Sequence, residues 1–492
     1  VTSASRVIAG AAAAALLAAC TVGPNFRPPT TPAAEGYAMP GDDANAGRVR
    51  AAIGAKVVSD WWTMFGSPEL DAVVREAVAG SPTLAEARDR LQAAREAVNA
   101  EGGPLMVDAN AGAERQRANL NAFSGGSFSK SIPGFPAFPT NPEFNLYTVG
   151  GSVSYNLDLF GGLRRRKESL RASEEAQARE LDAAYLTLTG QVVAQAFTIA
   201  DANLQMELLN DIIANDNADL GMVQRAHAAG GASDADVVGV ESQLAQDESQ
   251  IPGQRQRLEA AKHALAILLG KAPANWTAPD FTARSFTMPE TLPVSLPSEL
   301  VRNRPDILEA EAKLHAAIAE VGVATANLYP NINLTATLEQ GALTPQNLFG
   351  YTSTSWTVAA GLTAPIFRSG ELKAKQREAQ ANARVALAAY QLTVLQAFGQ
   401  VADVLSAIAH DNQAYAAQRR ALDAAQARVT MMRKGYAMGG VSELELVDAE
   451  RTWGRTRLAV TQQSYSRTGD AALLLLVTAD VPPGAAAGSK TP

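Results

Sequence analysis

Four segments alternate between apolar and polar residues, the period of an extended strand with two unlike faces. In residues 147–159, YTVGGSVSYNLDL, the side chains of Tyr147, Val149, Val153, Tyr155, Leu157 and Leu159 share one face. Thr148, Ser152, Ser154, Asn156 and Asp158 take the other. The same alternation runs through 331–339, NINLTATLE, and through 356–366, where Trp356, Val358, Ala360, Leu362, Ala364 and Ile366 coincide. A weaker version with small residues occupies 107–114, VDANAGAE. These lengths match what a tilted strand needs to cross a bilayer. The runs form two hairpins, the first with a long Gly-, Pro- and Phe-rich loop at 119–146, the second with a shorter one at 341–354. Four amphipathic strands on their own fit either a soluble sheet packed on helices or a share of a membrane barrel. They cannot close a barrel alone, because open edges are intolerable in lipid. In the barrel reading several chains must each contribute their hairpins.

The period changes between the hairpins. No proline falls between Pro142 and Pro252, nor between Pro365 and Pro482, and both intervals are rich in helix-forming Ala, Leu, Gln and Arg. Leu163 to Ala229 would make a helix of about 100 Å at 1.5 Å per residue. Tyr185, Val192, Ile199, Met206, Ile213 and Leu220 recur every seven residues, and Leu181, Leu188, Ala202, Leu209 and Val223 fill the complementary position. Gln195 and Asp216 interrupt that second series. The spacing is that of a coiled coil. The chain then repeats itself at an offset of 209, with Val394, Val401, Ile408, Tyr415, Leu422 and Val429 in the same heptad. Gly230-Gly231 matches Gly439-Gly440, and Ser233 matches Ser442. Each Gly-Gly-x-Ser sequence marks the far tip of a helical hairpin. The long helix returns over 232–269, and a helix at 304–326 extends that column. In the other half, 440–477 pairs with 68–101, so each chain supplies four helical columns of similar height.

Composition and charge narrow the function. A net charge of −8 argues against nucleic-acid binding, which needs a basic surface. The four histidines (His227, His263, His315, His410) are scattered, and no HExxH, phosphate loop, GxSxG or dinucleotide fingerprint occurs. No enzyme, cofactor or metal site is expected. The single cysteine follows one arginine and an apolar run in VIAGAAAAALLAAC, the anatomy of a secretory signal. Small residues directly before Cys20 match a lipobox, so Cys20 is expected to carry a covalent lipid after removal of 1–19. Thr21 in place of Asp points to the outer membrane. After residue 20 no run of 18 or more consecutive apolar residues is found, and no transmembrane helix is expected.

Together these features resemble the TolC-type outer-membrane factors of tripartite efflux systems, in their lipoprotein branch. The residues that carry the resemblance are CTVGPNFRPP after the lipobox, YNLDLFGGLRR and APIFRSGELKA leaving the second and fourth strands, SPTLAEARDRL and RPDILEAEAKL opening each half, and the two tips. The resemblance implies an α+β membrane protein: a homotrimer with a 12-strand β-barrel, four strands per chain, continuing into a 12-helix periplasmic α-barrel with an equatorial belt. It divides the chain into a signal peptide (1–19), a lipidated N-terminal segment and belt (20–60), first-half helices (61–106), a β-hairpin (107–160) and a helical hairpin with its tip at 230–233 (161–270). An equatorial linker (271–303), a helix (304–326), a second β-hairpin (327–367), a second helical hairpin with its tip at 439–442 (368–478) and a C-terminal tail (479–492) complete it.

The implied function is an outer-membrane exit duct, a passive gated channel. It would receive drugs, solvents or metal ions from a periplasmic adaptor and an inner-membrane transporter of the RND type, with the adaptor docking at Gly230, Gly231, Ser233, Gly439, Gly440 and Ser442. The family's periplasmic gate maps onto Leu444, Asp448 and Arg451, with Tyr436 before the turn and Glu445 as an added acid. The first tip departs from that pattern, carrying His227, Gly239 and Ser242 at the matching positions, so the gate is placed on the second-half helix alone. Asp448 and Arg451 are expected to hold neighbouring helices closed through charge-assisted hydrogen bonds, or else to form a weak exposed i,i+3 pair. Two other readings use the same sequence: an exit duct for type I protein secretion, and a non-channel periplasmic coiled-coil lipoprotein.

Overall fold

The computed structural model describes residues 21–32, 34, 36–37, 39, 51–55, 57, 59–117, 143–289, 291–479 and 481. Cys20 and the signal segment lie outside the described residues, as does most of the first hairpin loop. In chain order the main elements are β1 (Ala51–Ile53), α1 (Pro68–Gly80), α2 (Pro82–Ala100), β2 (Leu105–Arg117), β3 (Glu143–Asn156) and α3 (Gly162–Ala228). There follow α4 (Asp234–Glu248), α5 (Gln250–Leu268), β4 (Leu292–Val294), α6 (Pro297–Asn303) and α7 (Pro305–Ala326). The chain continues through β5 (Asn331–Ala342), β6 (Thr354–Thr363), α8 (Glu371–Ala437) and α9 (Glu443–Thr478). Contacts sort them into two compact units.

The first unit comprises residues up to Arg27, Ala94–Ser173 and Leu314–Ala386. Its centre is an antiparallel sheet in the order β2-β3-β5-β6. The register places Val107 opposite Val153, Val153 opposite Ala336, and Ala336 opposite Val358. The apolar residues of all four strands therefore form one continuous face, as the alternation requires. On the central strands that face is the more open, with Val153 41% exposed and Leu338 55% while Ser152, Ser154, Thr335 and Thr337 opposite are half-buried; the described side chains of β2 and β6 are exposed on both faces. A soluble sheet shows the reverse. Among the described residues nothing covers the apolar side. The strands are shifted from the sequence expectation. β3 ends at Asn156 and β6 at Thr363, which leaves Leu157, Leu159, Ala364 and Ile366 beyond the ladder. The reason is local: Asp158 turns the chain with φ +40 and caps the next helix.

The second unit holds Pro28–Ala93, Glu174–Lys313 and Leu387 onward. Its core is built on the heptads. Tyr185, Val192 and Ile199 of α3 and Val394, Val401 and Ile408 of α8 are buried. Against them pack Trp61, Trp62 and Phe65 from the turn before α1, together with Leu474 and Leu475 of α9. Phe65, Phe197, Phe286 and Phe281 form a chain of ring contacts 4.8–5.6 Å apart. The segment read as an equatorial linker contains β4, which pairs in parallel with β1, a pair the periodicity gave no sign of.

Both long helices contain 67 residues and begin 209 positions apart, at Gly162 and Glu371. The return helix expected as one run over 232–269 is two, α4 and α5, meeting at Ser249. Pro252 has no N–H to offer the carbonyl four residues back. For the same reason the run at 68–101 divides into α1 and α2 at Ser81-Pro82, where Arg88 Nη2 reaches the freed Val78 carbonyl at 3.4 Å. α8 contains an 18-residue window of mean hydropathy 1.5, only 33% of it buried, which is long and apolar enough to cross a membrane by length and composition. Consecutive-run counting missed it because scattered Gln and Thr break the runs without lowering the average much. Val385 and Leu392, seven apart on α8, are exposed at 68% and 55%. Apolar heptad positions with no cover in the protomer are what an intersubunit helix seam supplies.

Candidate functional site: helix tips and the N-terminal clamp

The two tips are built alike. Gly230 and Gly439 adopt φ +77 and +75, a conformation glycine enters without a Cβ penalty. The next N–H in each turn reaches back to the helix: Gly231 N to Ala226 O at 2.8 Å, Gly440 N to Gly435 O at 2.9 Å. Ser233 and Ser442 then cap the outgoing helices. The Ser233 hydroxyl accepts from Asp236 N, and the Asp236 carboxylate accepts from Ser233 N at 2.8 Å. Ser442 and Glu445 repeat this, with Ser442 N donating to Glu445 at 2.9 Å. The alternating acids after each serine thus have a structural use. Glu445, assigned to the gate as a second acid, has its carboxylate in the capping box. Donation from the Ser442 backbone, then from its hydroxyl, holds that carboxyl below its usual range.

The remaining gate candidates lie on α9 and at the end of α8. Leu444 is 48% exposed and Tyr436 40%. Asp448 and Arg451 do not pair with each other. Arg428 of α8 donates to Asp448 at 2.8 Å, an exposed ion pair. Arg433 of α8 holds Glu450 at 2.7 Å. Arg451 turns the other way, and its Nε meets Asp216 Oδ1 of α3 at 3.4 Å. That contact is sheltered, with the Asp216 side chain 1% exposed and Arg451 20%.

Asp216 belongs to a cluster of three buried aspartates near the tip that periodicity did not single out as functional. Asp219 on α3 and Asp247 on α4 are buried with it. Gln243 and Gln250 donate to Asp247 at 2.7 and 2.9 Å. Burial, then the neighbouring Asp247 carboxyl, pushes the Asp216 carboxyl up despite Arg451. Burial, then the charge of Glu450, pushes Asp219 up to about 7. The signal was present in the sequence, since Asp216 breaks a heptad series and Asp219 stands seven after Ile212, which is also buried.

In the first unit, the motifs following the cysteine and following β3 grip one another. Arg165, 4% exposed, donates to Asn25 Oδ1 at 2.6 Å and to Val22 O at 3.3 Å, and pairs with Glu168 at 2.8 Å. Val22 N donates to Phe160 O at 3.1 Å. Phe26 stacks on His315 at 4.3 Å, and His315 meets Glu168 at 3.0 Å. Residue 21 is therefore fixed beside the junction of β3 and α3, at the foot of the sheet whose apolar face is bare.

The foot clamp, the bare apolar sheet, the 67-residue helices and the glycine tips do not by themselves name a family, and comparison with known proteins does. The sequence profile of the family described as "Outer membrane efflux protein" matches residues 73–271 and 296–478. The chain belongs to that family. The pyoverdine export outer membrane protein OpmQ of Pseudomonas aeruginosa is 31% identical over 417 residues, covering 84% of this chain and 85% of the relative. The cation efflux system protein CusC of Escherichia coli K12 is 28% identical over 458 residues, covering 92% and 94%. Among solved structures, the outer-membrane channel OprN superposes with a TM-score of 0.82 at 27% identity, covering 94% of this chain and 99% of OprN. The open state of the MtrE channel of Neisseria gonorrhoeae gives 0.73 at 25%, covering 93% and 98%. As an outer membrane efflux protein, the chain is an exit duct of an efflux system and resides in the outer membrane. Its relatives are export and channel proteins rather than enzymes.

Proposed function

We propose that three copies of this chain form a passive, gated channel. The observation that carries this is the sheet: its apolar face is open, and its two edges, β2 and β6, have no partner strand among the described residues. Bilayer lipid satisfies the face, but an unpaired edge costs several kcal/mol per group in hydrocarbon. Pairing β6 of one copy with β2 of the next removes both edges. Three copies of four strands make twelve, and three copies of four helical columns make the twelve-helix tunnel. The uncovered heptad residues Val385 and Leu392 fit a seam with the neighbouring copy in that tunnel. The matched 67-residue helices and the twin tips support an internal duplication.

The tips, with Gly230, Gly231, Ser233, Gly439, Gly440 and Ser442, dock a periplasmic adaptor, which links the duct to an inner-membrane transporter, of the RND type by analogy with the lipoprotein branch. Leu444 narrows the bore while Arg451, and more weakly Asp448 and Tyr436, hold α9 in its closed position. Cys20 carries the lipid, a reading supported by the Arg165 clamp on Val22 and Asn25 that follow it in the chain. The names of the relatives, pyoverdine export and cation efflux, support a small-molecule or ion cargo selected by the pump. The test is purification in detergent followed by reconstitution. A heat-labile trimer that conducts in planar bilayers is expected, and a monomer, or a trimer that never conducts, would overturn the proposal.

A further inference from the structure

We propose that Asp219 is a positioning residue for Arg451 that works through a proton. With its carboxyl neutral, α3 and α9 stay packed around the Asp216–Arg451 contact. With it ionised, they are pushed apart and the tip of α9 is loosened. The inference rests on the reading of α9 as the gate helix.

Three observations converge. Asp219 is buried to 2% exposure, and its Oδ2 has no hydrogen-bond partner among the described residues. Arg451 Nη2 and Asp216 Oδ2 are likewise buried without partners, so the single guanidinium in this cluster is shared unevenly and not saturated. The charges that face Asp219 are predominantly negative: Glu450 and Glu443 from α9 and Asp216 from its own helix, against Arg451 alone. Asp216 in turn faces Asp247 of α4 as well as Arg451. Glu450 is itself engaged by Arg433 of α8. An ionised Asp219 would therefore sit largely desolvated among like charges with no donor on its buried Oδ2, and the packed arrangement takes up a proton instead.

The sign follows from linkage. The Asp219 carboxyl rises from 3.8 to about 7 in this packing, so the packed state binds a proton that a separated, hydrated state has already lost. Its stabilisation is complete below the ordinary carboxylate value and drains away as pH rises toward and through about 7. Acid tightens the contact between α3 and α9, and alkali releases it. Over the range from about pH 5.5 to about pH 8, the equilibrium between packed and separated helices shifts on the order of tenfold or more.

The experiment uses the full-length trimer. Single-channel conductance and open probability are recorded in planar bilayers from about pH 5.5 to about pH 8, with wild type, Asp219→Asn and Arg451→Ala. Asn is nearly isosteric with the neutral acid, so folding is preserved. Wild type is expected to open more as pH rises. Asp219→Asn is expected to stay at the low open probability of acidified wild type across the range, and Arg451→Ala to be open throughout. If Arg451→Ala opens the channel while Asp219→Asn keeps the wild-type pH profile, the inference is overturned and the gate reading stands. If Arg451→Ala leaves conductance unchanged, the gate reading falls, and amide exchange decides the inference separately. Protection over residues 211–223 and 444–457, corrected for intrinsic rates, should then drop on the order of tenfold with pH in wild type and stay level in Asp219→Asn. An identical drop in both proteins would overturn it.

Discussion

Replacing Arg451 with Ala separates two interactions that the sequence presents as one. Asp448 and Arg451 look like partners three apart on one helix face, yet each contacts a different helix. The Asp448–Arg428 pair has both side chains largely exposed, 66% and 43%, and pairs of that kind contribute at most about 1 kcal/mol. The Arg451–Asp216 pair is sheltered, and removing one partner of a buried pair costs about 3 kcal/mol at the lower end of the usual range. The lower end is appropriate because the Nε–Oδ1 distance is 3.4 Å and Arg451 keeps 20% exposure. In a symmetric trimer each substitution acts three times. Moving a two-state equilibrium from nearly closed to nearly open takes about 5.5 kcal/mol. Three copies of the Arg451 contact exceed that, and three copies of the Asp448 contact fall short. Arg451→Ala should therefore raise open probability in bilayers and sensitise cells to large antibiotics, while Asp448→Ala should stay near wild type. Gly239→Ala and Ser242→Ala on the first-half return helix, which lack these charges, should change nothing. Opening by Asp448→Ala alone, or wild-type conductance in Arg451→Ala, would refute this partition.

The other predictions are independent of the gate. Asp at Val153 or at Leu362, both on the bare apolar face, should cost on the order of 2 kcal/mol per site in the membrane, whereas Asp at Ser154 on the opposite face should be tolerated; refolding into lipid vesicles under urea measures the difference. Asp158 accepts from Leu163 N at 2.9 Å and Arg164 N at 3.1 Å at the start of α3, so Asp158→Ala should lose about 1 kcal/mol of stability, as other helix caps do, read from the thermal midpoint of the trimer. Cys20→Ser should leave the mature N-terminus without lipid while the trimer still inserts; mass spectrometry of a wild-type N-terminus that is unacylated and begins elsewhere would contradict the lipobox reading.

Periodicity made the architecture legible because strands and coiled-coil helices write their contacts into local spacing. The alternation at 147–159 identified the face of β3, and the heptads through Tyr185, Val192 and Ile199 identified residues that are buried. The glycine-serine tips were legible for a similar reason, since turn and cap chemistry is confined to a few adjacent residues. What spacing could not convey was pairing at a distance. Arg165 and Asn25 are 140 positions apart, and no local pattern joins them. The strands' ends slipped for another reason: Leu157 and Ile366 continue the alternation, but Asp158 turns the chain at positive φ after β3, and Pro365, with no N–H for a ladder, follows the end of β6.

The most informative positions are those where the spacing was broken. A heptad sustained over 67 residues specifies apolar side chains at its seam, and a carboxylate there costs free energy unless it is paired or protonated. α3 places two such carboxylates, Asp216 and Asp219, one turn apart near its tip end, where Asp247 of α4 and Arg451 of α9 converge. A sequence selected for stability alone would have continued the series with Leu or Ala, as it does at Leu209 and Ala202. In the proposed function the tip changes shape when a partner docks, and a fully apolar seam would resist that change. Placing marginal, proton-dependent contacts in the last turns lowers the cost of separating α3 from α9 there while leaving the seam above them tight. On the proposed gating, the buried carboxylates Asp216 and Asp219, rather than the mid-helix break at Gln195, mark the part of the coiled coil that moves.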